Sequence, residues 1–236
     1  MAGIRLIGLE KNYQVEERML QVLRGIDLQI PEKKITVLLG QSGCRKTTLL
    51  RLTGGLEKPD AGEIRFDSGH KTAFVFQEPR LMPWKNVWGN VTFGLRKEEI
   101  DEDAIHRIIA TVGLSEFTRA YPSQLSSGMQ QRCAIARALA YEPSFIMMDE
   151  PFAALDYFTR GQMQKELLRV HAQTGSSILF VTHSIDEALT LADKIAIMEN
   201  GVIKAEVEVP MEKRQRDLMD DRFIDLKRKI LLLLDR

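Results

Sequence analysis

The chain is 236 residues long and 44% hydrophobic, which suits one or two compact units with a sizeable core. Lys and Arg total 33, and Asp and Glu also total 33, so no overall charge favours nucleic acid or an anionic membrane surface as a partner. The two cysteines are too few for a disulfide framework and favour a reducing cytoplasm. The sequence has no signal-peptide core and no apolar run near ~20 residues, so we expect any membrane role to need another chain that spans the bilayer.

Two β-like runs open the chain, over residues 4–9 and 22–30, with a polar loop between them. Tyr13 closes the first run. A tyrosine at a strand end most often packs in a core or a turn, and this is the simplest interpretation of the residue taken alone. A third apolar run, Ile35–Leu39, predicts a buried strand.

A glycine-containing loop directly after this third strand is the most informative stretch of the sequence. The succession of strand, loop and helix start predicts backbone N–H groups that converge on a polyphosphate. We expect the ammonium of Lys46 to bridge the terminal phosphates and the hydroxyl of Thr47 to hold Mg²⁺. The predicted nucleotide-binding residues of the loop are Gly40, Gln41, Ser42, Gly43, Cys44, Arg45, Lys46, Thr47 and Thr48.

Arg45 stands where a phosphate loop of this kind usually has glycine. Glycine permits positive φ and a close approach of the backbone, and any other residue at such a position costs roughly 1–3 kcal/mol in strain. The guanidinium offers a phosphate contact in return where the backbone tolerates it. We therefore expect Arg45 to alter nucleotide binding more than the chemistry.

Gln77 follows a further apolar strand, predicted over residues 73–76. A side-chain amide just past a central strand can reach Mg²⁺ and the attacking water at the carboxyl edge of a parallel sheet, where ligands of such folds bind. The alternative is an ordinary glutamine on the surface.

Helical periodicity begins at residue 87 and continues to residue 141, with Ile105 and Ile109 at 3.6-type spacing and a helix of small residues over 134–140. Directly before that helix stand Leu125, Ser126, Ser127, Gly128 and Met129. We expect Ser126 or Ser127 to cap the helix. The same helix start offers a second anion site.

Two acids end the strand predicted over residues 144–148. In that position Asp149 is expected to hold Mg²⁺ and Glu150 to act as general base toward a water molecule. A solvated turn is the alternative for an isolated Asp-Glu pair. His183 comes just past another buried strand, predicted over residues 177–181. The remaining histidines, which stand in polar or helical contexts and are most simply solvated, are His70, His106 and His171.

Near the end of the chain, Asn200 and Gly201 predict a tight hairpin turn between two apolar runs. Residues 211–236 are charged at first and then amphipathic. One helical face of this tail carries Phe223, Leu226, Ile230 and Leu233. We expect the face to pack on its own domain, and binding to a partner or to a membrane surface is the alternative.

Six of these features resemble, in the same order, the motifs of the ATP-binding subunit of an ABC importer over nearly the whole chain. They lie at Tyr13, Gly40, Gln77, Leu125, Ser144 and His183. The loop at Gly40 is similar to Walker A, and residues 144–150 are similar to Walker B. Residues 125–129 resemble the signature motif of the family, with Ser127 in place of its first glycine. Residues 153–156 resemble its D-loop. Gln77 resembles the Q-loop glutamine, and the residues after it resemble the version found in importers of nitrate, sulfonate, taurine and bicarbonate.

The resemblance implies an α/β fold, namely a P-loop NTPase (RecA-like) core with an N-terminal antiparallel β subdomain and an inserted α-helical subdomain. It implies a single ATPase domain over residues 1–236. Within it, residues 1–86 and 143–210 form the core with the β subdomain, 87–142 form the helical subdomain that carries the signature motif, and 211–236 form a C-terminal helical tail.

The resemblance also assigns roles to residues of this sequence. ATP and Mg²⁺ are the implied ligands, with Tyr13 stacked on adenine. Thr47, Gln77 and Asp149 are the implied metal ligands. Glu150 and His183 are the implied catalytic residues, and His183 reaches the γ-phosphate.

The implied partners are a second ATP-binding subunit, which makes a homodimer, the transmembrane permease subunits, and indirectly a substrate-binding protein, with no nucleic acid. Two ATP molecules lie between the two subunits, each phosphate loop facing the signature motif of the other copy. The implied location is peripheral, at the cytoplasmic face of the membrane. The alternative is a regulatory nucleotide-binding subunit with little ATPase activity, because Arg45 and Ser127 replace motif glycines.

Overall fold

The computed structural model describes residues 3–66, 71–210, 212–213, 216 and 220–234. The chain divides into two units, residues 1–70 with 175–236, and residues 71–174. His70 and most of the stretch from 211 to 219 lie outside the described residues. In chain order the elements are β1 (Gly3–Val15), β2 (Arg18–Pro31), β3 (Ile35–Leu39), α1 (Lys46–Thr53), β4 (Ala61–Phe66), β5 (Thr72–Val75), α2 (Val87–Val91), α3 (Glu102–Thr111), α4 (Ser127–Ala140), β6 (Phe145–Asp149), α5 (Tyr157–Thr174), β7 (Ser177–Thr182), α6 (Ile185–Leu191), β8 (Lys194–Glu199), β9 (Val202–Glu208) and α7 (Asp221–Leu234).

The first unit contains an antiparallel sheet with the strand order β2-β1-β4. Strands β1 and β2 form one long hairpin, whose pairing continues to Val15 opposite Arg18. Both strands are longer than the sequence predicts, because cross-strand pairing carries the polar residues near the turn into the ladder. The chain reverses at Glu16, whose φ is +53°.

The same unit contains a mainly parallel set of strands in the order β7-β3-β8-β9. Strand β3 is parallel to β7 and to β8, and every residue of β3 and β7 is buried. A central strand covered on both faces needs a mainly apolar run without alternation, and Ile35–Leu39 is such a run with Thr36 as its one polar residue. The predicted hairpin turn is confirmed, since β8 pairs antiparallel with β9 and both Asn200 and Gly201 have positive φ, at +45° and +81°.

We expect Gly201→Ala to destabilise the first unit by about 1–3 kcal/mol, measured as a lower urea midpoint of unfolding. A Cβ at this position lies 2.2 Å from the carbonyl oxygen of Val22, and the φ of +81° is unfavourable for any L residue. The matched control is Gly161→Ala in helix α5, where a Cβ meets nothing within 4 Å. That control is expected to stabilise by about 1 kcal/mol. Equal midpoints for the two variants would contradict this explanation.

The second unit pairs β5 with β6 in parallel and otherwise contains helices between residues 87 and 140, followed later by α5. Ile105 and Ile109 are buried on one face of α3, as their spacing predicts. The expectation that His171 is solvated is wrong, because only 9% of this residue is exposed. His171 lies on the face of α5 that also buries Met163 and Leu167, at four-residue intervals.

The amphipathic tail forms helix α7, which packs against α6 and β8 of its own unit. Phe223 and Ile230 are fully buried there, and the Nζ of Lys227 lies 2.6 Å from Asp186 Oδ1 on α6. The expectation that the tail packs on its own domain is therefore confirmed for the described part of the helix. No helix within the described ranges combines the length and the apolar character that crossing a bilayer requires.

Candidate nucleotide-binding site

The phosphate loop runs from Gly40 to Arg45 and joins buried strand β3 to helix α1, as the sequence predicts. Gly40 is packed so closely that a Cβ would lie 2.3 Å from the carbonyl oxygen of Met198 on β8. A side chain at this position would therefore displace the start of the loop. The residues between, Gln41, Ser42, Gly43 and Cys44, form the body of the loop, of which Cys44 alone is buried.

Arg45 adopts φ 82° and ψ 19°, in the left-handed region, and immediately precedes the first residue of α1. The position thus has the backbone conformation for which a phosphate loop ordinarily uses glycine. An L residue in this conformation costs about 1–2 kcal/mol. Ser127, the other replacement of a motif glycine, begins helix α4 and is not among the residues of positive φ. The strain therefore belongs to Arg45 and not to Ser127.

Lys46 is 5% exposed, and its ammonium lies inside the loop. Its Nζ donates to the carbonyl oxygens of Gly40 at 2.8 Å and Gln41 at 2.9 Å. These bonds hold the positive charge beside the N-terminal end of α1, where the helix dipole is also positive. Thr47 and Thr48 follow in the first turn of α1, so a cation, N–H groups and hydroxyls meet at one helix start.

Tyr13 is half-buried on β1, and its hydroxyl donates a hydrogen bond to Glu57, which lies beyond the end of α1. Burial and the Glu57 carboxylate raise the pKa of Tyr13 above its usual value, while Thr48 and Arg51 on α1 oppose that rise. Tyr13 is therefore a neutral donor across the physiological range of pH. Its contact with Thr48 brings it to the helix that carries Lys46.

His183 follows the last residue of β7, next to the phosphate loop in the fold. Leu39 of β3 pairs with Thr182 of β7, so Gly40 and His183 leave neighbouring parallel strands at the same edge. The turn after β7 is fixed by Glu187, whose carboxylate accepts from the Thr182 hydroxyl at 2.5 Å. Sequence reasoning missed Glu187, although its place three residues after the helix cap Ser184 is a capping-box pattern.

The second unit brings together Gln77 and the two acids. Val75 of β5 pairs with Met148 of β6, so the chain segments that follow these residues leave neighbouring strands at the same edge. Gln77 is exposed two residues past β5, and Asp149 is the last residue of β6 and is 5% exposed. Glu150 has φ +44°, so the chain turns sharply at the residue proposed as general base.

Ser126 is the residue that caps α4, since its Oγ accepts from the backbone N–H of Met129 at 3.3 Å. Leu125 is buried before the cap, and Ser127 is exposed as the first helical residue. A Cβ on Gly128 would lie 3.2 Å from Leu155 Cδ2, so this glycine lets α4 begin against the segment of residues 153–156. Within that segment, Asp156 caps α5 by accepting from the N–H groups of Phe158 and Thr159, both at 3.0 Å.

Two side chains of α4 hold the segment that follows β5. Gln131 Nε2 donates to the Phe76 carbonyl at 3.0 Å, directly before Gln77. Arg137 donates to the carbonyls of Pro79 at 3.0 Å and Arg80 at 2.9 Å. Burial lowers the pKa of Arg137, which nevertheless remains charged at neutral pH. Helix α4, which begins with the signature motif, is thus hydrogen-bonded to the chain on both sides of Gln77.

We expect Arg137→Ala to destabilise the second unit by about 1.5–3 kcal/mol, because it removes a charged donor from two carbonyl groups. The measurement is urea unfolding followed by circular dichroism, with Arg107→Ala as control. Arg107 lies exposed on α3 of the same unit, and its removal is expected to shift stability by about 0.5 kcal/mol or less. An equal effect of the two substitutions would show that the two backbone bonds of Arg137 contribute nothing.

Oxygen atoms are the ligands that Mg²⁺ prefers, and each unit holds side chains that carry them. Among the residues that the structure describes, no cluster of three or more His, Cys, Asp or Glu side chains could hold a metal ion. The first unit holds the hydroxyl of Thr47, and the second unit holds the amide of Gln77 and the carboxylate of Asp149. Mg²⁺ is typically held by one or two carboxylates together with substrate phosphates, and the carboxylate of Asp149 is a donor of that kind.

The predicted residues thus form two groups, one in each unit. The first unit brings together Tyr13, the loop from Gly40 to Thr48, and His183. The second brings Gln77, Asp149 and Glu150 to one edge of its strands and places the signature segment, Leu125 to Met129, beside residues 153–156. A glycine-containing loop with a buried lysine, placed between a central parallel strand and a helix, defines a P-loop nucleotide-binding protein.

Comparison with known proteins gives the family. The family described as ABC transporter matches residues 23–153. An aliphatic sulfonates import ATP-binding protein of Pseudomonas fluorescens is 44% identical over 213 residues, 90% of this chain and 81% of that protein. An uncharacterized ABC transporter ATP-binding protein of Methanocaldococcus jannaschii is 40% identical over 98% of this chain and 91% of its own length. A solved dimeric ATP-binding cassette in a post-hydrolysis state, bound to ADP and Pi, matches with a TM-score of 0.81 at 29% identity, covering 89% of this chain and all of that one.

The chain belongs to the ABC transporter family, and it is an ATPase of that family. The expected fold class, an α/β P-loop NTPase with an antiparallel β part and a helical part, is confirmed by the solved cassettes. Nothing in these comparisons supports the alternative of a regulatory subunit with little ATPase activity.

Proposed function

We propose that this chain is the ATP-hydrolysing subunit of an importer for a small organic anion of the aliphatic sulfonate class. The observation that carries the proposal is the order of four side chains along the fold: Lys46 begins α1, Asp149 ends β6 with Glu150 directly after it, and His183 follows β7. Relatives named as aliphatic sulfonates import ATP-binding proteins, at 37–44% identity, support the choice of substrate.

In the first unit, binding and orientation are the work of the phosphate loop. Lys46 and the first N–H groups of α1 place positive charge against the terminal phosphates, where negative charge develops during phosphoryl transfer. Thr47 contributes its hydroxyl to the metal. His183 contacts the γ-phosphate and orients the attacking water, since it lies at the same sheet edge as the loop. Tyr13 stacks on the adenine ring.

In the second unit, Asp149 is the proposed metal ligand and Glu150 is the proposed general base. Asp149 and Gln77 would supply oxygen ligands to Mg²⁺, which when bound would neutralise charge on the phosphates. Glu150 accepts the proton of the attacking water at its carboxylate.

The assembly is proposed to be a homodimer with ATP between the copies. The start of α4, residues Leu125 to Met129, faces the phosphate loop of the other copy and supplies N–H groups to its nucleotide. The segment after Gln77 transmits the closing of the dimer to transmembrane permease subunits at the cytoplasmic face of the membrane. A substrate-binding protein acts with the complex indirectly. The solved cassette that matches this chain is described as dimeric, which supports the proposal.

ATP hydrolysis by the purified chain tests the catalytic half of the proposal. Phosphate release with Mg-ATP is measured against chain concentration, beside a Lys46→Ala variant. A composite site between two copies predicts that the rate per chain rises with concentration and that Lys46→Ala abolishes it. A rate per chain that is independent of concentration would contradict the shared site, and equal rates for both proteins would contradict the role of the loop.

Growth on defined sulfur sources tests the substrate half. The chain is expressed in Pseudomonas fluorescens that lacks its own aliphatic sulfonates import ATP-binding protein, with ethanesulfonate as the sole source of sulfur. The proposal predicts growth with the chain and none with its Glu150→Gln variant. Failure to grow, when the chain is made and hydrolyses ATP, would contradict the assignment to aliphatic sulfonates.

A further inference from the structure

Hydrogen bonds connect the segment after helix α1 to the end of β1 around Tyr13. The Tyr13 hydroxyl donates a hydrogen bond to Glu57, and the Thr48 hydroxyl interacts with the same phenol oxygen. Glu57 Oε1 also lies 3.5 Å from Nη1 of Arg51, one turn along α1 from Thr48. One carboxylate thus connects the aromatic residue to the helix that begins with Lys46.

A second set of bonds fixes the neighbouring residues of the same two segments. Lys11 Nζ donates to the Lys58 carbonyl at 2.9 Å and to Asp60 Oδ1 at 3.0 Å. The backbone N–H of Asn12 donates to Asp60 Oδ2 at 2.6 Å. Lys11 Nζ also lies 5.5 Å from the centre of the Tyr13 ring. A cation on one face of the ring leaves stacking with a base to the opposite face.

We propose that Glu57 is a positioning residue, which holds the Tyr13 ring in the orientation that stacks on the base of the nucleotide. The inference rests on the proposed function, in which Tyr13 binds adenine. Without the carboxylate, the ring loses its strongest hydrogen bond and samples more orientations, and ordering it again on binding has an entropic cost. Burial and the Glu57 carboxylate raise the pKa of Tyr13, so its hydroxyl stays a hydrogen-bond donor at neutral pH.

The test separates the base from the phosphates. Calorimetry measures the binding of Mg-ATP and of magnesium tripolyphosphate, which has no base, to the full chain, Glu57→Ala, Tyr13→Phe and the double variant. We expect each single variant to raise the dissociation constant of Mg-ATP about fivefold, which corresponds to the loss of about one hydrogen bond. The dissociation constant of magnesium tripolyphosphate is expected to change by less than about twofold. Since both substitutions break the same bond, the double variant is expected to match either single one.

Two further variants make the outcomes distinct. Asp60→Asn disturbs the neighbouring bonds without touching Tyr13 and is expected to leave Mg-ATP binding within about twofold. Tyr13→Ala removes the ring and tests the stacking itself. If Tyr13→Ala weakens Mg-ATP binding and Glu57→Ala does not, Glu57 has no positioning role and the proposed function stands. If Glu57→Ala weakens both ligands equally, its role is structural, and if Tyr13→Ala changes nothing, both the inference and the role of Tyr13 in the proposed function are overturned.

Discussion

Replacement of Arg45 by glycine is expected to tighten Mg-ATP binding roughly tenfold relative to Arg45→Ala. Both variants lack the guanidinium, but alanine keeps the Cβ that makes the left-handed conformation unfavourable. With φ at +82° in the folded protein, the loop is strained, and relaxation of that strain moves it away from the conformation that the phosphates require. Glycine removes the strain, so a larger fraction of the protein is competent to bind.

Comparison with the unaltered chain then measures the contribution of the guanidinium. If Arg45 contacts phosphate, the natural chain binds more tightly than Arg45→Ala and closer to Arg45→Gly. Turnover at saturating ATP is expected to stay within about twofold in all three, since none of the changes touches Glu150 or His183. Glu142→Gly serves as a control for stability, because Glu142 also has positive φ, at +47°, and lies in the turn after α4. Equal affinities of the glycine and alanine variants would contradict the strain at Arg45.

Substitution of Glu150 by glutamine is expected to lower ATP turnover roughly 100-fold to 10,000-fold while leaving the dissociation constant of Mg-ATP within about threefold. Glutamine has the shape of glutamate and can adopt the same positive φ of +44°, but it has no carboxylate to accept a proton. The measurements are steady-state phosphate release and calorimetric titration of the same preparation.

The control is Glu142→Gln, the same chemical change at another residue of positive φ in the second unit. It is expected to leave turnover and binding unaltered. If Glu150→Gln lowers turnover by less than about tenfold, a group other than Glu150 accepts the proton of the attacking water. A parallel loss of Mg-ATP binding would mean that Glu150 supports the bound nucleotide rather than the attacking water.

The sequence predicted the elements whose cause is local. Two short runs in which apolar residues predominate form buried parallel strands, because such runs can be covered on both faces of a sheet: Ile35–Leu39 and Phe145–Asp149. Asn200 and Gly201 form the expected turn, since both tolerate positive φ. Arg45 was singled out by its place in the motif, and its backbone has the positive φ for which glycine is usually required.

The sequence did not predict the contacts whose partners lie far along the chain. Glu57 accepts a hydrogen bond from Tyr13, which lies 44 residues earlier in the sequence. Arg137 donates hydrogen bonds to carbonyl groups that lie 57 and 58 residues earlier. A backbone carbonyl has no sequence signal, and an isolated glutamate in a loop is ordinarily solvated. The polarity of His171 predicts exposure to solvent, but its four-residue spacing from Leu167, and that of Leu167 from Met163, places it on the buried face of α5.

The most direct test of the account is the mass of the Glu150→Gln variant in solution with Mg-ATP and with Mg-ADP, by sedimentation equilibrium. The central claim is that ATP is held between the phosphate loop of one copy and the signature segment of another. The account predicts about twice the 26.9 kDa of one chain with Mg-ATP and a single chain with Mg-ADP. A single chain in both nucleotides, at a concentration where calorimetry shows ATP bound, would contradict it.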